Sequence, residues 1–260
     1  MRFLETVMGI PMSIDVRDEV DAAPAAERAF AVLRDADRRF SPYLPDSEVS
    51  LANASGDHGI DHSADFREVV AIGEAAARAS GGAFRIRRPD GTWDLDGVVK
   101  GWAAARAADV LSSAGLRDFC VNAGGDVAVS GSPAEGRPWS VGIRSPHDPE
   151  AVVAVLAVTA GGVATSGAYE RGTHIVDGRD GSVPRSLVSA TVVADDLTTA
   201  DVLATAVFAL GPDGIPWALS AGARGVLAVD AAGRLLGAGQ LAFAQPTAAQ
   251  PATAQPASGA

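Results

Sequence analysis

The sequence predicts an α/β protein of the α+β kind, with mixed, mostly antiparallel sheets and packed helices in a single domain over residues 1–243. Three observations lead there. Apolar runs of strand length outnumber helical patterns, most of those runs follow one another directly, and no linker interrupts the chain before residue 244.

Each element has its own signal. Residues 2–17 alternate like a strand that turns at Gly9-Ile10-Pro11, and Ala29, Val32, Leu33, Ala36 and Phe40 share one face of a helix over 24–40. Ser41 to Asp61 reads as a polar loop. A second amphipathic helix over 65–79 ends at Ser80-Gly81-Gly82, and a third near 98–114 stops at Gly115. Strands follow at 117–122 and 127–130, joined by Ala123-Gly124-Gly125-Asp126, and then at 138–145, 151–159, 162–166 and 186–194. An unusually apolar helix spans 199–210, a short one spans 213–221, and strands at 225–229 and 234–237 close the fold. From Ala244 the chain repeats an uncharged Ala-Gln-Pro unit that buries no core, which predicts a disordered tail over 244–260.

Composition narrows the function classes. Of 260 residues 47% are apolar, enough for a full-sized core, and 32 acidic against 21 basic residues give a net charge of −11. No Lys/Arg run tracks a phosphate backbone, so a nucleic-acid partner is not expected. No stretch reads as the roughly 18 apolar residues that cross a bilayer, and residues 1–16 alternate like a strand instead of forming a leader. The expectation is a cytoplasmic protein without a membrane anchor. The single cysteine, Cys120, lies in an apolar run and reads as a core residue.

Several segments carry chemistry, each with two readings. From Val202 to Leu210 the only polar residue is Thr205, so this helix is expected to be buried all round, with Asp201 at its head. Asp201 and Thr205 are four apart, one turn apart on one face, which suits two hard oxygen ligands of Mg²⁺. Alternatively, Thr198-x-x-Asp201 is a capping box that ties off the helix start. Asp96 reads as an N-cap, with Lys100 in a first turn where an anion would justify a cation; equally, Lys100 is an exposed partner of Asp94 or Asp96. Ala123 to Asp126 is either a tight glycine turn or a backbone surface for a ligand. His174 lies in a strand-like apolar context that suits either a core residue or a catalyst. His58 and His62 have metal-like spacing, but Gly56 and Gly59 argue against a helix beneath them.

In order, these segments resemble the ApbE family, the FAD:protein FMN transferases. The resemblance runs from Val7 to Gly211. It takes in Met8-Gly9-Ile10, the stretch Ser41 to Asn53, Gly82-Ala83-Phe84, Asp94 to Gly101, Asn122 to Asp126, and Ala164 to Gly167. It continues through Tyr169, His174-Ile175-Val176-Asp177 and Ala200-Asp201-Val202-Leu203-Ala204-Thr205-Ala206.

The resemblance implies roles. Asp201, Thr205 and the Gly97 carbonyl would hold Mg²⁺. Met8, Tyr43, Ala83, Phe84, Arg85, Asp94, Lys100 and Ile175 would contact FAD as substrate, and His174 would be catalytic. The implied reaction transfers FMN from FAD to a Thr or Ser hydroxyl of an acceptor protein with an FMN-binding-type domain, releasing AMP. Two further readings use the same residues: hydrolysis of FAD to FMN and AMP, and a flavin-carrying module without turnover. The chain departs from the family pattern at Arg85, where aspartate is common, at Asp177-Gly178-Arg179-Asp180-Gly181, and in the short loop between Tyr169 and His174.

Overall fold

The computed structural model describes residues 1–56, 61–167 and 175–244. The expected α+β organisation is observed as one eight-stranded antiparallel sheet, a separate two-stranded hairpin, and six α-helices among the described residues. The strands are β1 (Arg2–Val7), β2 (Ile10–Val16), β3 (Phe119–Ala123), β4 (Asp126–Ser130), β5 (Trp139–Arg144), β6 (Val152–Val158), β7 (Ala160–Gly167), β8 (Leu187–Ala194), β9 (Gly225–Asp230) and β10 (Leu235–Gly239). The helices are α1 (Ala23–Phe40), α2 (Glu48–Ser55), α3 (Ala64–Ala79), α4 (Asp96–Ser113), α5 (Leu197–Leu210) and α6 (Gly214–Ser220).

The large sheet is a meander in the order β1-β2-β3-β4-β7-β8-β9-β10. Its strands pair in chain order, interrupted by three excursions: α1–α4 after β2, the β5–β6 hairpin after β4, and α5–α6 after β8. The helices cover one face. Ala128, Ala164, Ala190, Val192 and Val226 point into the core they share with α1, α4 and α5. The β5–β6 hairpin covers the other face, where Trp139, Val141, Ile143, Leu156 and Val158 pack on Val127, Val129, Val163, Val193 and Leu227. β8 is covered on both faces, which is why its sequence shows no in–out alternation and its Ser189 and Thr191 are buried as well.

Local chemistry sets the joints. The first hairpin turns at Met8-Gly9, one residue earlier than the sequence suggests, with both residues at positive φ (54° and 71°) and Val7 opposite Ile10. Gly124 and Gly125 (φ 66° and 111°) form the two-residue turn between β3 and β4, and the Asn122 side chain accepts the Gly125 N–H at 2.9 Å. Positive φ at both central positions is what such hairpin loops require. The segment from Ser41 to Asp61 is not a plain loop, because α2 forms within it. Ser47 caps α2 by accepting the Ser50 N–H at 3.1 Å, and Gly56 ends it at φ 63°. Only Val49 and Ala52 of α2 are buried, too few to show a hydrophobic period in the sequence.

The helical run Leu197–Ser220 also corrects the sequence reading, because it is long and apolar enough to cross a membrane by length and composition. Most of its apolar stretch is buried inside the protein, and Gly211–Asp213 turns it through a 3₁₀ segment between α5 and α6. Cys120 is half-buried on β3, and burial pushes its thiol up to about 12, so it stays protonated. After β10 the chain crosses to the small sheet, where the Ala244 N–H donates to Val155 O. The rest of the expected tail, 245–260, lies outside the described residues.

Phe208, 2% exposed at the centre of α5, tests this core. Phe208→Ala is expected to cost about 3–5 kcal/mol through lost burial and a residual cavity. Urea denaturation should show a lower midpoint at unchanged slope.

Candidate active site

Asp201 and Thr205 sit on α5, and the question of the helix cap is answered upstream of them. Asp196 is the N-cap, accepting the Thr199 N–H at 2.9 Å and the Thr199 hydroxyl at 2.7 Å. Asp201 therefore lies in the second turn and takes no part in capping, and it is only 3% exposed. A carboxylate this deep needs donors and countercharge. Its Oδ2 accepts the Gly101 N–H of α4 at 2.9 Å, and Lys100 Nζ lies 3.7 Å from its Oδ1. Gly101 permits the approach, because a Cβ there would stand 2.6 Å from Asp201 Cβ and 2.9 Å from Leu197 O.

Lys100 joins two acidic residues from different elements. Its Nζ is 2.5 Å from Oδ2 of Asp126, the first residue of β4, and Asp126 Oδ1 accepts the Thr165 N–H at 2.9 Å. Asp126 is 2% exposed. On the next turn of α5, the Thr205 hydroxyl is 3.0 Å from that of Ser166 on β7. Gly97 lies beside Thr205, and a Cβ on Gly97 would stand 3.2 Å from the Phe84 ring and 3.9 Å from Thr205 Cγ2. The expected side-chain cap at Asp96 is not made: Leu95 is the N-cap of α4, without a side-chain hydrogen bond.

These groups line one wall of a cleft of about 780 Å³, within the usual range for small-molecule sites. The cleft brings together Met8, Tyr43, Ala83, Phe84, Arg85, Asp94, Gly97, Lys100, Ile175, Asp201 and Thr205, which includes every predicted site residue except His174. His174 lies outside the described residues, as do Tyr169 and His58. Sequence reasoning missed further lining residues, among them Asp37, Phe40 and Arg88. Asp37 Oδ2 accepts the Met8 N–H at 3.1 Å, so α1 holds the strained hairpin turn at the cleft. Arg88 pairs with Asp94 at 3.2 Å. The Asp37–Met8 contact has no local sequence signal, because its partners meet only through the fold, whereas Arg88 and Asp94 face each other across a short local turn.

The rim is built from two loops. Tyr43 is 87% exposed at its edge. Opposite, the loop carrying Ile175 and Val176 docks on the Ala83 turn: the Gly178 N–H donates to Ala83 O at 2.9 Å, and a Cβ on Gly178 would stand 2.2 Å from Gly82 O. Arg179 braces this loop through hydrogen bonds to Asp177, which hold the Asp177 carboxyl below the usual range. A larger hollow, of about 1060 Å³, lies between α3, α4 and the start of α5, and none of the predicted residues lines it. Its Glu68 and Arg106 pair with each other on a half-exposed surface, so the chemistry belongs to the smaller cleft. His62 is stacked on Phe66 at 4.1 Å between ring centroids.

The donor set at the inner wall is hard oxygen: a carboxylate, a hydroxyl and a glycine backbone that a ligand can approach. Among the described residues, no three His, Cys, Asp or Glu side chains gather to hold a metal. A cation here would therefore draw its other ligands from backbone, water and a bound phosphate, the mode usual for Mg²⁺. The residues present fit that ion.

Comparison with known proteins agrees with this geometry. The model of the ApbE family matches residues 8–90 and 86–229. The chain belongs to the ApbE family. The FAD:protein FMN transferase of Escherichia coli (strain K12) is 36% identical over 135 residues, 48% of this chain and 38% of that protein. That of Klebsiella pneumoniae (strain 342) is 35% identical over 135 residues and is covered over 39% of its length, so the match spans under half of these curated relatives. The Haemophilus influenzae FAD:protein FMN transferase is 26% identical over 274 residues, covering 79% of each chain. Among solved structures, the ApbE protein of Thermotoga maritima superposes with a TM-score of 0.81 at 23% identity, covering 91% of this chain and 96% of that one. The flavin transferase ApbE of Vibrio cholerae gives 0.78 at 22% identity, covering 93% and 96%. These likenesses establish the fold as that of ApbE proteins.

Because Gly101 holds α4 against Asp201, Gly101→Ala is expected to force the helices apart. Overpacking of this kind costs about 1–3 kcal/mol, and a crystal structure of the variant should show Asp201 moved from the Gly101 N–H. An unshifted Asp201 at full stability would contradict the reading.

Proposed function

We propose that this protein takes FAD as substrate and, with Mg²⁺, transfers its FMN half to a Thr or Ser hydroxyl of an acceptor protein carrying an FMN-binding-type domain, releasing AMP. One observation carries the reading. A carboxylate and a hydroxyl one helical turn apart meet a glycine backbone and a lysine inside a cleft lined by Met8, Phe84 and Ile175. The apolar side chains suit a flavin or adenine ring, and the oxygens and the ammonium suit a diphosphate. The names carried by the Escherichia coli and Haemophilus influenzae relatives support the transfer of FMN from FAD to a protein.

In this reading Asp201, Thr205 and the Gly97 carbonyl hold the ion, which when bound neutralises charge on the diphosphate. Lys100 faces the same diphosphate, and the Ala83-Phe84 turn together with Met8 orients the ring system. The acceptor hydroxyl attacks the FMN-side phosphorus; a phosphorus–oxygen bond forms to the acceptor, the bond to AMP breaks, and AMP leaves with the electron pair. His174, directly before the Ile175-Val176 segment of the cleft, accepts the hydroxyl proton, since its ordinary pKa lies near neutrality.

The test mixes the protein with FAD, Mg²⁺ and a candidate acceptor domain, and looks for a flavin-fluorescent band that persists on a denaturing gel. AMP release without any acceptor would favour hydrolysis, and FAD that survives Mg²⁺ unchanged would favour a flavin carrier. Asp201→Asn is expected to abolish the band; near-normal transfer by that variant would remove the metal assignment. His174→Ala is expected to bind FAD normally, by quenching of flavin fluorescence, and to transfer at least about tenfold more slowly, a loss typical of a missing general base. Full activity in His174→Ala would move the proton to another group.

A further inference from the structure

The pairing of Asp126 plays no part in the reaction described above. It lies at the far end of the β3–β4 turn, on a different element from the proposed metal ligands, yet it is as deeply buried as Asp201, at 2% exposed. Each of the two carboxylates has one oxygen tied to a backbone N–H: Asp126 Oδ1 to Thr165 and Asp201 Oδ2 to Gly101, both at 2.9 Å. The second oxygen of each faces the same ammonium, but unequally. Lys100 Nζ is 2.5 Å from Asp126 Oδ2 and 3.7 Å from Asp201 Oδ1. The first distance is a charge-assisted contact, and the second is beyond hydrogen-bonding range.

We infer that Asp126 is a positioning residue that draws the Lys100 ammonium toward itself, so that the ammonium competes less strongly with a divalent cation for Asp201. This rests on the proposed metal role of Asp201. The physics is competition between cations for one buried carboxylate. In a setting of low dielectric, an ammonium that settles on Asp201 opposes an incoming ion both by occupying the oxygen and by charge repulsion. Asp126 prevents that by offering the lysine a fully buried counter-charge that is itself pinned by Thr165. Take away that charge, and the attraction of Lys100 for Asp201 is no longer countered by Asp126.

The probe is Mn²⁺ alone, titrated into the full-length protein and read from the electron paramagnetic resonance of the free ion. Asp126→Asn keeps the side-chain shape and the acceptor for the Thr165 N–H, and it is expected to weaken Mn²⁺ binding at least tenfold. Lys100→Met combined with Asp126→Asn removes the competing ammonium together with its partner, and it is expected to return binding to within threefold of the wild type. Local disruption of the β3–β4 turn would leave the double variant as weak as the single one. Wild-type affinity in Asp126→Asn, or a double variant as weak as Asp126→Asn, would overturn the inference. Should Asp126→Asn fail to fold, the double variant, which strands neither charge of the pair, carries the test: binding tenfold weaker than wild type would overturn it. Failure of the underlying metal reading gives a different result, in which Asp201→Asn binds Mn²⁺ as the wild type does or the wild type binds none.

Discussion

The close approach of α4 to α5 at Gly101 is the contact on which the cleft depends. With no side chain at Gly101, its N–H reaches Asp201 at 2.9 Å, and the two helices come near enough for Lys100 to face the same carboxylate. A buried charge is tolerated where donors and a counter-charge meet it, and this contact supplies both. Larger side chains would hold the helices further apart and leave Asp201 without its backbone donor. The carboxylate therefore reports the helix packing as much as it offers a ligand.

The sheet makes that contact possible. α5 lies against β7, β8 and α4, so it is enclosed on nearly every side, and a helix so placed has to be apolar all round. Thr205 is the exception between Val202 and Leu210 because its hydroxyl has a partner in Ser166 at 3.0 Å and its face opens on the cleft. The hairpin β5–β6 seals the opposite face of the sheet, which leaves the helix side to carry the site. A meander of strands paired in chain order gives this platform mainly from near neighbours in sequence, while the cleft gathers residues from its first ten positions to beyond two hundred.

Two turns at the cleft are each tied to a neighbouring element by a hydrogen bond. Asp37 steadies the Met8 turn, and the Ala83 carbonyl steadies the loop that carries Ile175. Such loops can vary between relatives without disturbing the sheet beneath them. Arg85 lines the cleft and Asp177 belongs to the loop that carries Ile175, both away from the α4–α5 contact.

The sequence by itself determined the α+β class and the apolar character of the helix bearing Asp201 and Thr205, because these follow from periodicity, while the residues expected at the cleft came from the resemblance carried by short segments in order along the chain. It misplaced features whose cause is not periodic. Helix α2 depends on a Ser47 cap and a Gly56 stop with only two buried residues, so its pattern is too faint to read. The competing readings of Asp201 turned on whether it caps its own helix, and only the structure placed Asp196 in that position. Likewise, Lys100 was a candidate partner of Asp94 or Asp96, whereas Arg88 pairs with Asp94 and Lys100 meets Asp126 and Asp201. The pairings of Lys100 with Asp126 and Asp201, on other elements of the chain, leave no trace in spacing; they arise from which helices and strands touch, and packing in three dimensions alone decides that.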